Sequence, residues 1–151
     1  MLAAATTIVF ASHDEECVNS KGIAPCVQTF AAELNQALDV GMRQRGVSTE
    51  ETTKVVPILD VGMGQTNPAR ATIGAAQVAG PAASVDKVRA VAVYPGGSFG
   101  GSTAFRSRVL VPTDTMKPWK QMSRVVGVGV SAILVVKGCN AWPDSPPDGC
   151  R

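Results

Sequence analysis

The chain has 151 residues, 45% hydrophobic, 17% charged and 5% aromatic, with a formal net charge of +2. That length makes residues 1–151 a single domain with room for a hydrophobic core, so it does not depend on disulfides to fold. The scarcity of aromatics argues against a base-stacking platform, and the apolar N-terminal run is too short for a membrane span because His13-Asp14-Glu15-Glu16 follows it.

The small net charge hides an uneven distribution. Residues 1–86 carry nine acidic and five basic residues, whereas residues 87–124 set Lys87, Arg89, Arg106, Arg108, Lys117, Lys120 and Arg124 against Asp114 alone. A segment so basic implies either an anionic partner or contact with the acidic half of another copy. The competing reading is a merely solvated sheet face.

Thr6 to Ala11 reads as a short buried strand. Residues 1–12 lack the basic start and small-residue cleavage site of a signal peptide. They are expected to belong to a mature form, with Leu2-Ala3-Ala4-Ala5 as the stub of a tether. The four cysteines fall into two close pairs, Cys17 with Cys26 and Cys139 with Cys150, each bracketing a turn-rich loop. Neither pair has the spacing of a zinc or redox site, so two local disulfides and an oxidising compartment are expected. The rivals are a link between the chain ends and free thiols.

Pro25 opens the strongest helical pattern. Val27, Phe30, Ala31, Leu34, Leu38 and Met42 share one stripe, and Gly46 after Arg43 and Arg45 suits a helix end. Gly41 interrupts the pattern and suggests close packing. Thr53 to Val61 reads as a strand in which Pro57 implies an edge position or a bulge. Residues 62–84 are small and nearly uncharged, and read either as a short helix around Ala69–Val78 or as a long loop. Lys87–Tyr94 and Ala104–Val111 alternate and form the best hairpin candidate, with a turn at Pro112-Thr113-Asp114. Val125 to Val136 reads as strand through at least Val130, with a closing helix as the alternative beyond it.

Three short motifs invite chemistry. Gly96-Gly97-Ser98-Phe99-Gly100 fits the elbow that presents a nucleophilic serine, but the one histidine, His13, lies upstream and a strand pattern follows. Asp60-Val61-Gly62-Met63-Gly64 resembles the first glycine turn of a nucleotide-binding fold without its third glycine. His13 to Glu16 offers metal-capable atoms with no second cluster to complete a shell, and reads as a solvated loop. No cofactor and no metal site are expected.

The order of a strand, an amphipathic helix ending in Arg43-Gln44-Arg45-Gly46-Val47 and a second strand, then Phe105-Arg106-Ser107-Arg108-Val109-Leu110-Val111 before Lys117-Pro118-Trp119, resembles small α+β bacterial envelope lipoproteins. The resemblance covers residues 26–60 and 104–137. It departs in lacking a lipobox cysteine, in carrying residues 62–84 as an insertion, and in its glycine-valine C-terminal segment. It implies a non-enzymatic envelope role and supplies no site residues.

The expectation is therefore an α+β domain, with an antiparallel sheet of about four or five strands on one main helix and two disulfides. It would reside in the periplasm, the cell envelope or outside the cell. It would bind other subunits, as a homo-oligomer for example, or an anionic polymer, through Lys87, Arg89, Arg106, Arg108, Lys117, Lys120 and Arg124. The alternatives are a self-assembling coat or appendage subunit, for which alone nucleic acid is a partner, and a small serine hydrolase using Ser98.

Overall fold

The computed structural model describes residues 16–18, 20–47, 50–64, 66–95 and 108–135. The expected strand at Thr6–Ala11, the Ser98 loop, Arg106, Cys139 and Cys150 lie outside them.

Helix α1 spans Ile23–Gln44. Pro25 stands in its first turn, where a missing amide costs no helical hydrogen bond. Ile23 and Val27 are buried, with Ala31, Leu34 and Leu38 packed in the same cluster, as the three- and four-residue spacing requires. The end is a Schellman turn. The Val47 amide donates to the Met42 carbonyl at 2.9 Å and the Gly46 amide to Arg43 at 3.0 Å, with Gly46 at φ +79°.

Five strands form one sheet: β1 (Thr52–Asp60), β2 (Thr72–Gly80), β3 (Ala90–Pro95), β4 (Arg108–Thr113) and β5 (Gly129–Val135). Their spatial order is β4-β3-β1-β2-β5. The α+β class and the single main helix are as expected, but the sheet is mixed, not antiparallel. β1 pairs antiparallel with β2 and parallel with β3. The cause is the connection after β2, which contains a short helix (Ala82–Val85). It passes the start of β1, so that β3 arrives on the far side of β1 and runs with it. Val85 and Val88 of this crossover are buried in the main core, and the Lys54 ammonium donates to the Val88 carbonyl at 2.8 Å.

Pro57 departs from the expected edge position, whereas the alternative of a bulge is met nearby by a register shift of the β1–β2 ladder between Ile58 and Leu59. Pro57 lies in the central strand and is buried. The parallel ladder to β3 begins at Ile58, one residue later, so the proline sits where that ladder has not started. The segment 62–84 is not a long loop, and the short helix expected around Ala69–Val78 is present only at its start, Pro68–Ala71, because Thr72 onward is strand. The segment forms a short 3-10 turn, a four-residue helix α2 (Pro68–Ala71), then β2, then the crossover helix, here α3. β2 is buried along nearly its whole length. Strands covered on both faces lose alternation, and this one is built of small residues with weak strand preference. Pro112 and Thr113 continue β4 and do not turn; the reversal starts at Asp114. The antiparallel pairing of β3 with β4 holds, but the C-terminal strand is displaced. Residues 125–128 form a turn that places Val125 and Val128 in the core, and β5 starts only at Gly129 and runs on to Val135, where a closing helix was the alternative.

The sheet curls so that its two edge strands approach one another. Val56, Ile58, Val78, Val91 and Val93 fill the concave face, closed below by Val125 and Val128. Each such valine contributes roughly 1.5–3 kcal/mol on burial. Helix α1 covers the convex face over β1, β2 and Leu134 of β5. Trp119 and Met116 cover the rest of that face, over Leu59, Ala71 and Ala90.

The Cys17–Cys26 disulfide is formed, which removes an end-to-end link through either residue. The structure describes one disulfide where two were expected. The second expected pair, Cys139 and Cys150, falls in the C-terminal stretch beyond the described residues, so no bridge from Cys139 to Cys150 is described. The bridge that is described ties the helical residues just before α1 to α1 itself, with Cys26 buried. Its sequence separation of 9 restricts the unfolded chain by roughly 2–3 kcal/mol in the entropic account. A Cys17→Ser, Cys26→Ser double variant should lose about that much in urea unfolding; an unchanged midpoint would show that the bridge adds nothing to stability.

Candidate functional site

Thr113, at the end of β4, organises the basic segment. Its carbonyl accepts the Arg89 amide at 2.8 Å, and its backbone bridges to Arg124 on the other side. Arg89 and Arg124 therefore flank one strand, with Cα atoms about 10 Å apart by strand spacing. Between Asp114 and Arg124 the chain makes a strap closed at its base, where the Asp114 amide reaches the Ser123 carbonyl at 3.3 Å. Pro118 and Trp119 face inward, so the strap exposes Lys117 and Lys120, which stand one turn apart. Lys87 is exposed in the crossover just before Arg89.

Five of the seven candidate cations thus lie on the strap, at its base or on the adjoining crossover. Arg108 does not. It is half-buried at the opposite end of β4, paired with Pro95, roughly 17 Å from Thr113. Arg106 lies outside the described residues. Asp86 and Asp114 are also exposed in this region, so the surface is mixed but predominantly basic. Sequence reading missed Lys54, whose apolar strand context gives no hint that it reaches across to hold the crossover carrying Lys87 and Arg89.

The chain's one tyrosine fastens the strap to the sheet. The Tyr94 hydroxyl lies 2.9 Å from the Met122 sulfur. Burial pushes the Tyr94 phenol above its ordinary value near 10. Because the folded chain holds this proton more tightly than the unfolded one, stability falls as the pH climbs from about 10 through the folded value. Absorbance titration near 295 nm should give a midpoint above that of free tyrosine; a midpoint at or below it would contradict the burial.

The glycine turn after β1 is a strand ending. Asp60 Oδ1 accepts the Gly62 amide at 2.9 Å, Gly64 takes φ +70°, and the helix that follows has only four residues, too short to present a phosphate-binding terminus. Of the acidic N-terminal cluster only Glu16 is described, and it is exposed. No group of three or more metal-capable side chains occurs among the described residues. No helix among them is long and apolar enough to cross a membrane.

A second polar cluster lies under α1. Fully buried Gln77 donates to Asn35 Oδ1 at 2.9 Å and to Asp39 Oδ1 at 2.8 Å, and accepts from Ser131 at 2.8 Å. Thr53 donates to Asp39 Oδ2 at 2.6 Å, and Asn35 donates to the Thr53 hydroxyl at 3.0 Å. Each donor has a partner, and reversing the Gln77 amide would set its oxygen against a carboxylate. The hydroxyl of Ser131 donates to an amide oxygen and not to a base, so the cluster is a brace joining α1 to β1, β2 and β5. Its members are dispersed from residue 35 to 131. The available signal was Asn35 and Asp39, polar at helical spacing beside the apolar Leu34 and Leu38.

A shallow cleft of about 300 Å³ opens between the first turns of α1 and Met116, with Pro57 and Thr72 among its lining residues. Its lining is mostly prolines and small side chains, with Gln28, Asn67 and Met116 among them, and carries no ionisable group. Comparisons of the chain with protein families, curated proteins and solved structures give no match.

Proposed function

We propose that this protein is a non-enzymatic binding protein of an oxidising compartment, in the envelope or outside the cell, that holds an anionic polymer on its basic strap. The observation that carries this reading is the grouping of Arg89 and Arg124 around Thr113, with Lys117 and Lys120 exposed on the loop between them. The Cys17–Cys26 disulfide supports the compartment. Lys87, Arg89, Lys117, Lys120 and Arg124 are the contact residues; Arg108 is too far along β4 to join them.

A sulfated polysaccharide matrix tests it. Polyanion binding through about five cations should weaken steeply with salt, with a log–log slope of about −4. The triple variant Arg89→Glu, Lys120→Glu, Arg124→Glu should bind more than about tenfold more weakly, since like charge replaces attraction. Arg43→Glu, on the last turn of α1, should leave affinity unchanged. Salt-insensitive retention, or equal loss from Arg43→Glu, would remove the reading.

A further inference from the structure

The strap is fastened at two kinds of point. Trp119 and Met116 pack into an apolar cluster, whereas Met122 is 39% exposed and touches the sheet through the Tyr94 hydroxyl. A thioether is a weak acceptor, so this contact is a poor hydrogen bond held in a half-wet place. It is also accessible to small oxidants, which sit naturally with a disulfide-bearing protein.

We infer that Met122 is a reversible oxidation site whose sulfoxide is captured by Tyr94, locking the 114–124 strap to β3. The co-reactant is a hydroperoxide. A sulfur lone pair attacks one peroxide oxygen, the S–O bond forms and the O–O bond breaks. The departing oxygen leaves with the electron pair and takes up a proton, while the transferred hydroxyl oxygen releases one. With hydrogen peroxide the products are methionine sulfoxide and water. Sulfur is oxidised by two electrons and the peroxide reduced by two.

Geometry favours capture over disruption. The new oxygen points into the space between sulfur and phenol if the sulfur withdraws by about 1 Å, which restores an O–H···O separation near 2.7 Å. An exposed, unbranched side chain with three rotatable bonds can make that shift. The sulfoxide oxygen is a much stronger acceptor than the thioether. It therefore stabilises the neutral phenol and raises its midpoint further. Met42 and Met116 are less exposed than Met122, and Met116 packs against an apolar cluster where a sulfoxide would force a polar group into the core. Oxidation at Met122 thus tightens the segment bearing Lys117, Lys120 and Arg124, and this follows whether or not those residues bind a polyanion.

Brief hydrogen peroxide treatment of the intact protein, followed by peptide mass spectrometry and titration of the single tyrosine, tests it. Met122 should oxidise at least about fivefold faster than Met42 and Met116, in line with its exposure. The Tyr94 midpoint should rise by about half a pH unit, return after methionine sulfoxide reductase, and stay still in Met122→Leu given the same treatment. Oxidation no faster at Met122 than at Met42 and Met116 would overturn the site. A midpoint that is unchanged or lowered once Met122 is the sulfoxide would overturn the capture, because an ordinary surface methionine would oxidise without moving the tyrosine.

Discussion

Gly74→Val should lower stability by roughly 3 kcal/mol or more and release β5 before the rest of the sheet unfolds. A Cβ at residue 74 would stand 2.4 Å from the backbone carbonyl oxygen of Leu134, closer than any real contact. The obstacle is main chain, so no rotamer change relieves it, and β5 must move off β2. Gly80 meets the same limit, at 2.6 Å from the Gly127 carbonyl oxygen. Amide exchange should show residues 129–135 losing protection first. Gly41→Ala is the matching control. A Cβ there meets nothing within 4 Å, so the substitution should gain about 1 kcal/mol from helix propensity. Close packing therefore does not explain Gly41. If Gly74→Val and Gly41→Ala unfold at the same urea concentration, the tight β2–β5 approach is not a feature of the protein in solution.

Gln77→Leu should cost about 2–4 kcal/mol, or roughly 5–15 °C in melting temperature for a chain of this size. The leucine fits the volume but removes two donors and one acceptor at once. Asp39 then keeps only Thr53, Asn35 loses the donor to its side-chain oxygen, and the Ser131 hydroxyl loses its nearest partner. The larger part of the cost is the unpaired groups left behind, not the bonds themselves. Gln77→Glu should be worse near neutral pH, because it sets a second carboxylate against Asp39. Combining Gln77→Leu with Asn35→Leu and Asp39→Leu removes the stranded groups together and should recover part of the loss. If that triple variant is no more stable than the sum of its members, the brace is not a cooperative unit.

Local pattern was sufficient for α1 and for its end. Val27, Ala31, Leu34 and Leu38 repeat at helical spacing, and Gly46 supplies the left-handed residue that the Schellman turn needs. The β3–β4 hairpin and a C-terminal strand were legible for the same reason, since alternation and β-branching act over a few neighbours, but the bounds of that strand were not: alternation placed it at Val125–Val130, whereas β5 is Gly129–Val135. β2 was not. Its Thr72-Ile73-Gly74-Ala75-Ala76-Gln77-Val78-Ala79-Gly80 run has no alternation, because α1 covers one face and the concave core the other. Its small residues look like a loop until Leu134 and Gly127 are seen pressed against it.

The basic segment shows the same division. Its charge was plain in the chain, but composition carries no information on which cations meet. Antiparallel pairing sends Arg108 and Thr113 to opposite ends of β4, and the return of the chain at Arg124 gathers the others near Thr113. The Gln77 brace has members as far apart as residues 35 and 131, and only its two helical members left a trace in the local pattern.

By itself, then, the sequence determined what depends on near neighbours: one long amphipathic helix and its stop, a β-hairpin, the presence but not the bounds of a β-branched last strand, a local disulfide between Cys17 and Cys26, and a basic stretch from Lys87 to Arg124. Only the tertiary structure decided the parallel pairing of β1 with β3, the central place of Pro57, the burial of β2, the splitting of the basic residues and the Tyr94–Met122 fastening. Each of these is a contact between segments distant along the chain, set by which surfaces must be buried together, and no short-range periodicity encodes it.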